Sequence, residues 1–274
     1  MQSSQILAAI DCARDLISSF QLAPGPVDVI ALARKQGVSA VEPAEMSADG
    51  YLARTRDGAL VIRYRATNNR SRNRFTIAHE IAHLIFAQVQ GQELDQPRIG
   101  RLSDPQEETA VNRIAAELLM PAKFILNELG ERERRGELPN WKIINALRQT
   151  YQVSASAMAF RMLELPSLRA ISMRISIDGH APQFPFDRSE NSAIRLVNGV
   201  EFEMERLWRD ARKSTRHIVG VKAGGTTFSI PCEGLVKSMT TKLGPARHYW
   251  VIGWLTDGRN EAAAGKPNQS LVGK

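Results

Sequence analysis

Residues 75–86 read FTIAHEIAHLIF, and this apolar run predicts one buried α-helix that carries His79-Glu80-x-x-His83. Because an α-helix turns about 100° per residue, His79 and His83 lie one above the other on the same face, with Glu80 beside them. Two imidazoles directed at one point form half of a tetrahedral zinc site, and an adjacent carboxylate can accept a proton from water at the ion. The spacing therefore favours a metal site over a helix whose histidines are satisfied by hydrogen bonds alone.

A third protein ligand is expected from another element, since a catalytic zinc site has three. A second helix is predicted to start with Asp104 as its N-cap, Pro105 at the first helical position and Glu107 at the capping-box position. Glu107 is then expected to serve the cap, which leaves Glu108 for the metal, with Asn112 one turn later on the same side. Spacing alone explains Glu108 equally well as a ligand or as a surface charge that complements the helix dipole.

The composition, with 43% hydrophobic and 24% charged residues, is that of a globular protein. At 274 residues the chain has room for two domains, or for one domain with an appendage. No apolar run is long enough to span a membrane, and Asp11 and Arg14 interrupt the first apolar stretch, so no signal peptide is predicted. Cys12 and Cys232 form neither a disulfide framework nor a zinc cluster, which indicates small buried side chains and a cytoplasmic location.

Much of the net charge of +7 lies immediately before the first helix, where residues 54–74 hold seven arginines against the single acid Asp57. Such a block is consistent with a solvated guard on an edge strand, a rim that binds an acidic polypeptide segment, or a nucleic-acid surface. Residues 58–64 are predicted to form a strand. The sequence favours the guard role, with this strand at the edge of a sheet.

Two separated blocks resemble the ImmA/IrrE family of metallopeptidases. They are RSRNRFTIAHEIAHLIF at residues 70–86 and ETAVNRIAAELLMP at residues 108–121. The family has R-F-T-[IL]-A-H-E-[LI]-G-H in the first block and E-x-x-A-N-x-F-A-x-x-L-L-M-P in the second, in the same order. The chain departs at Ala82, where glycine is common, and at Ile114, where phenylalanine is common. Neither departure removes a ligand or the base.

The resemblance implies a site, a metal and a substrate. Matched by position, His79, His83 and Glu108 bind the metal and Glu80 is the catalytic base. Zinc is the expected ion, and manganese or another divalent ion is also consistent with this ligand set. Members of the family cleave helix-turn-helix transcriptional repressors and so switch on stress-response or mobile-element genes. A repressor, often encoded nearby, is therefore the expected substrate, and the sequence leaves the oligomeric state open.

The predicted fold is α+β, in four parts. Residues 1–126 form a mainly helical metallopeptidase core with a small sheet, and residues 127–166 form a helix-turn-helix-like segment. Residues 167–260 form an α+β domain in the place where longer, IrrE-like relatives carry a GAF-like one, and residues 261–274 form a flexible tail. The individual elements predicted are helices at 4–20, 27–36 and 200–213, and strands at 38–41, 60–64, 171–177, 217–221, 226–230 and 248–255.

The alternative function is a regulator that binds DNA or a partner protein and uses the metal only structurally. In the helix-turn-helix-like segment the second helix carries Arg161 as its single basic residue, whereas a DNA-reading helix offers several polar or basic side chains. A packing or substrate-docking role is therefore favoured over DNA binding. Glu80 also argues against a structural site, which has no use for a base and fills its fourth position with a protein ligand.

Several polar side chains have no assigned role. Tyr64, Tyr151 and His217 are unranked candidates to stabilise an oxyanion. His180, His217 and His248 lack partners at diagnostic spacing, which favours structural roles. A third reading, hydrolysis of small amides, requires a closed pocket that the sequence does not show.

Overall fold

The structure, a computed structural model, describes residues 3–20, 23–92, 104–165, 168–176, 186–188, 195–196, 215–223, 226–241 and 244–256. The chain divides into two compact units, one formed by Met1–Ile125 with Leu147–Met158 and the other by Leu126–Ala146 with Ala159–Lys274. The four-part division of the chain stays a prediction. The predicted helix at 200–213, His180 and the tail at 261–274 lie outside the described residues.

The predicted α+β architecture is confirmed. The helices are α1 (Ser3–Ser18), α2 (Val29–Lys35), α3 (Arg70–Val89), α4 (Pro105–Leu119), α5 (Ala122–Arg134), α6 (Trp141–Tyr151) and α7 (Ala155–Glu164). The strands are β1 (Val38–Pro43), β2 (Gly50–Arg54), β3 (Leu60–Tyr64), β4 (Leu168–Ser176), β5 (Phe186–Arg188), β6 (Arg195–Leu196), β7 (Thr215–Ala223), β8 (Thr226–Thr241) and β9 (Gly244–Thr256). Of the helices in the described ranges, none has the length and apolar character needed to cross a membrane.

The first unit contains a three-stranded sheet in the order β1-β3-β2, in which β3 runs parallel to β1 and antiparallel to β2. β3 is therefore the central strand, and its predicted place at a sheet edge was wrong. Leu60, Val61 and Ile62 are consecutive and all buried, which is the pattern of a strand covered on both faces. β2, which the sequence did not predict, is an outer strand of this sheet.

Helix α3 is the predicted buried helix. It begins at Arg70, because the side chain of Asn69 accepts a hydrogen bond from the N–H of Arg72 and caps the first turn. From Thr76 to Ala87 nearly every residue is buried. The helix that carries both histidines is thus held by packing along most of its length.

Helix α4 starts as the sequence predicts, with Pro105 as its first residue and the side chain of Asp104 accepting a hydrogen bond from the N–H of Gln106. Near its far end lies Glu117, which is buried. Its side chain accepts a hydrogen bond from the N–H of Ala122 at 3.0 Å. This bond satisfies one of the unpaired donors at the start of α5 and fixes the join between the two helices.

The second unit contains a six-stranded sheet in the order β5-β4-β9-β8-β7-β6, with every recorded strand pair antiparallel. The indole N–H of Trp250 donates to the hydroxyl of Ser172 at 2.6 Å, and its ring packs at 5.0 Å on that of Trp141. The antiparallel sheet predicted for this region is confirmed. Its likeness to a GAF domain stays a prediction.

The two cysteines lie in different environments. Cys232 is buried as expected, and burial raises the pKa of its thiol. Cys12 on α1 is exposed, so the prediction that it is buried was wrong. The α1 residues that are buried are Ala9, Ala13, Leu16 and Ile17, and Cys12 lies off that stripe.

Candidate metal centre

Helix α3 brings the two predicted histidine ligands together. His79 and His83 are one turn apart, and their ring centroids are 4.8 Å apart with the planes nearly perpendicular. His83 is buried and His79 is half-buried. The pair therefore has a covered side in the core and a side that faces solvent.

Helix α4 supplies a carboxylate that reaches both imidazoles. One oxygen of Glu108, Oε2, lies 3.4 Å from Nε2 of His79, and the other, Oε1, lies 3.5 Å from Nε2 of His83. With bonds of about 2.0–2.1 Å, two ligands of a tetrahedral zinc ion lie about 3.3–3.4 Å apart. The two distances from Glu108 match this spacing, and the three ligand atoms of His79, His83 and Glu108 all lie within 4.8 Å of one another.

The electrostatics of His79 suit a metal ligand. Burial lowers the pKa of its imidazole, and this outweighs the opposite effects of Glu108, Asn112 and Asp49. The neutral form, which carries a free lone pair, is therefore favoured near pH 7.

The other nitrogen of each imidazole also faces an oxygen on α4. Nδ1 of His79 lies 3.1 Å from Oδ1 of Asn112, and Nδ1 of His83 lies 3.6 Å from Oε1 of Glu107. The sequence placed Asn112 on the correct side of the helix. Glu107 was predicted only as a capping residue, and its position beside His83 was not predicted.

Glu80, the predicted base, is 6% exposed and lies against strand β2. A Cβ atom added at Gly50 would lie 3.2 Å from Oε1 of Glu80 and 2.6 Å from Cγ2 of Thr76. The backbone of β2 can pass this close only because residue 50 has no side chain. Gly50 is a site residue that the sequence reasoning missed, since nothing in its surroundings along the chain indicates the contact.

Part of the arginine block is neutralised within the fold. Asp49 accepts hydrogen bonds from Arg65 and Arg72, and the bond from Arg72 does most to hold the pKa of Asp49 below its usual value. Arg63 lies 3.7 Å from a carboxylate oxygen of Glu42. These pairs link β3 to β1 and to the start of α3, and because their side chains are exposed they add little to stability.

The three candidates for an oxyanion-stabilising residue differ in position. Tyr64 pairs across the sheet with Gly50, so the two Cα–Cβ directions share the face that meets Glu80. Tyr151 on α6 is 1% exposed. His217 lies in β7, and His248, for which a structural role was expected, lies in β9. The strand register thus singles out Tyr64 by position.

Comparison with known proteins places part of the chain in a described family. Residues 33–163 match the family model described as Peptidase M78, IrrE N-terminal-like domain. This segment is thus similar to the IrrE N-terminal-like domain, and the resemblance of the two sequence blocks to the ImmA/IrrE family is confirmed. The matched segment contains α3 to α6 and nearly all of α7.

Among solved structures, a Mycobacterium tuberculosis transcriptional regulator has a similar fold. It is 12% identical in sequence with a TM-score of 0.57, and the match covers 90% of this chain and 76% of that one. No curated protein sequence matches the chain.

Proposed function

We propose that this protein is a zinc-dependent endopeptidase in which His79, His83 and Glu108 hold the ion and Glu80 is the catalytic base. The observation that supports it most strongly is the position of the Glu108 carboxylate, whose two oxygens lie 3.4 Å and 3.5 Å from the Nε2 atoms of the two histidines. Three protein ligands leave the fourth position of a tetrahedral ion open, as a catalytic site requires.

His79, His83 and Glu108 would hold a zinc ion, which would supply Lewis acidity to polarise the scissile carbonyl and lower the pKa of water towards neutrality. Glu80 accepts the proton of the attacking water and then delivers it to the leaving amine. Its buried place beside Gly50 holds the carboxylate in one orientation. The preceding residue on the helix is the ligand His79, so base and ion share one rigid element.

The open edge of β2 offers a place for an extended polypeptide. The hydrogen bond from the N–H of Arg65 to the C=O of Asp49 sets the phase of the β2–β3 ladder. Gly50, Leu52 and Arg54 therefore direct their N–H and C=O groups away from β3, and no other described strand pairs with them. A substrate segment that added to this edge would lie beside Glu80, which favours a polypeptide over a small amide as substrate.

We propose a helix-turn-helix transcriptional repressor as the substrate. This follows from the family, whose members inactivate such repressors by cutting them and so derepress stress-response or mobile-element genes. A repressor target also places the reaction in the cytoplasm.

The test is incubation of the zinc-loaded protein with the repressor encoded next to it and with repressors that co-purify. We expect cleavage that stops when a chelator removes the metal and returns when zinc is restored. If every such repressor stays intact across a range of divalent metals, the substrate proposal fails.

Replacing Gly50 with Ala should lower the rate of cleavage by up to about 10²-fold, because the new Cβ would clash with Cγ2 of Thr76 at 2.6 Å and press on Oε1 of Glu80 at 3.2 Å. The helix that carries both residues must then shift, and misplacement of a catalytic group by about 1 Å has an effect of that size. Zinc binding should be unchanged, since the three atoms nearest to the added Cβ belong to Thr76, Arg63 and Glu80 and not to a ligand. The matched control is Gly130→Ala on α5, where an added Cβ meets nothing within 4 Å. Equal rates for the two variants would show that Gly50 does not position the base.

The second candidate is a transcriptional regulator with a structural metal. The Mycobacterium tuberculosis protein of similar fold is described as a transcriptional regulator, and α6 and α7 of this chain have a helix-turn-helix outline. Against it, Arg161, the only basic residue of α7, is 5% exposed and lies 3.3 Å from Glu164, so it is not presented to a phosphate. Binding to DNA with a steep salt dependence, without proteolysis, would favour this candidate.

A further inference from the structure

We propose that Asn112 and Glu107 are positioning residues that orient the two imidazoles so that the Nε2 atoms face the metal. The inference rests on the proposed zinc site and extends it from the ligands to the groups behind them. Both residues lie on α4, the helix that also supplies Glu108.

Asn112 fixes the protonation pattern of His79. Its Oδ1 atom lies 3.1 Å from Nδ1 of His79, a normal hydrogen-bond distance. An amide oxygen can only accept, so Nδ1 must carry the proton in this contact. The proton is then absent from Nε2 in the neutral ring, and that nitrogen directs its lone pair to the side where Glu108 lies at 3.4 Å.

Glu107 favours the same tautomer in His83, but it acts through its charge and not through a hydrogen bond. Its Oε1 atom lies 3.6 Å from Nδ1 of His83, beyond hydrogen-bond range. A carboxylate there still favours a proton on Nδ1, since the oxygen is negative and the contact is half-buried. Nε2 of His83 is again the nitrogen that faces Glu108, at 3.5 Å.

One short stretch of α4 therefore places an oxygen beside both nitrogens of each of the two imidazoles. Glu108 and Asn112 are four residues apart and lie on one face, and Glu107 lies beside them. Oxygen partners on the outer nitrogen hold a histidine ligand in its tautomer and ring orientation and raise its basicity. Asn112 is exposed and can be replaced without opening a cavity.

The experiment measures the zinc affinity of the full chain by competition with a chromophoric chelator. Asn112→Ala should bind zinc about 10-fold more weakly than the native chain, the lower end of the range for loss of such a partner. Asn112→Asp should restore the affinity, because a carboxylate also accepts from Nδ1–H. The matched control is Asn127→Ala, another exposed asparagine within a helix, which should bind zinc like the native chain.

The same measurement of zinc affinity tests Glu107. Glu107→Ala should weaken zinc binding and Glu107→Gln, which keeps an accepting oxygen, should recover part of it. The control is Glu131→Ala on an exposed position of α5. The far-UV circular dichroism spectra of the metal-free variants should match that of the native chain, since alanine has a higher helix propensity than asparagine or glutamate.

Two results overturn the inference. One is an Asn112→Ala variant that binds zinc as tightly as Asn127→Ala, and the other is an Asn112→Asp variant that binds no better than Asn112→Ala. Both leave the zinc site of the native chain in place. Failure of the native chain itself to bind zinc would instead overturn the proposed function, so the two failures are distinguishable.

Discussion

Replacing Glu80 with Gln is expected to lower the rate of peptide-bond cleavage by about 10²–10⁴-fold while the chain still binds one zinc ion. The amide has nearly the shape of the carboxylate, so the buried space beside Gly50 stays filled. It cannot accept a proton from water, and the contribution of general-base catalysis is lost. The measurement is the rate of repressor cleavage at saturating zinc, with the metal content of the same sample.

The matched control for this substitution is Glu131→Gln, which makes the same change on an exposed position of α5. It should cleave at the native rate. Undiminished cleavage by Glu80→Gln would show that Glu80 is not the base, whatever holds the metal.

Replacing His79 with Ala is expected to abolish both zinc binding and cleavage. The variant retains only His83 and Glu108, and losing a ligand weakens binding by more than the roughly 10–100-fold that loss of an outer partner costs. Zinc affinity and cleavage should therefore fall together, in contrast to the separate effects at Glu80. Gln88→Ala, on an exposed position of the same helix, is the control and should keep both. Zinc bound by His79→Ala at native affinity would place the metal elsewhere.

The two site helices were predictable because their signals are local. The N-cap at Asp104, the proline after it and the apolar spacing that follows define α4 from neighbouring residues alone. The histidine spacing defines the metal-binding face of α3 in the same way. Local spacing left Glu108 open between ligand and surface charge. The contact between α3 and α4 brings its carboxylate to the imidazoles.

The features that the sequence did not predict depend on tertiary contacts. β2 is a short segment with one fully buried residue, Leu52, and its position follows from pairing with β3 and packing beside α3. The place of Gly50 against Glu80 joins residues 30 positions apart, which no local pattern indicates. Glu107 was assigned to the cap because capping is a local rule, and its contact with His83 becomes visible only when the helices are packed.

In the second sheet, too, the extent of a strand depends on its pairing partners and not on local sequence alone. The predicted strand at 226–230 continues in the structure to Thr241, through Pro231. β8 begins to pair with β9 only at Cys232, so Pro231 lies just before the second ladder starts. A proline can occupy that position, and the predicted strand end at residue 230 was too early.

One divalent ion held jointly by His79, His83 and Glu108 is the basis of the proposed activity. The most direct measurement is X-ray diffraction from zinc-loaded crystals on both sides of the zinc absorption edge. We expect one anomalous peak about 2.0–2.2 Å from Nε2 of both histidines and from a carboxylate oxygen of Glu108. A peak bound by other residues, with the Glu108 carboxylate turned away from both imidazoles, would contradict it.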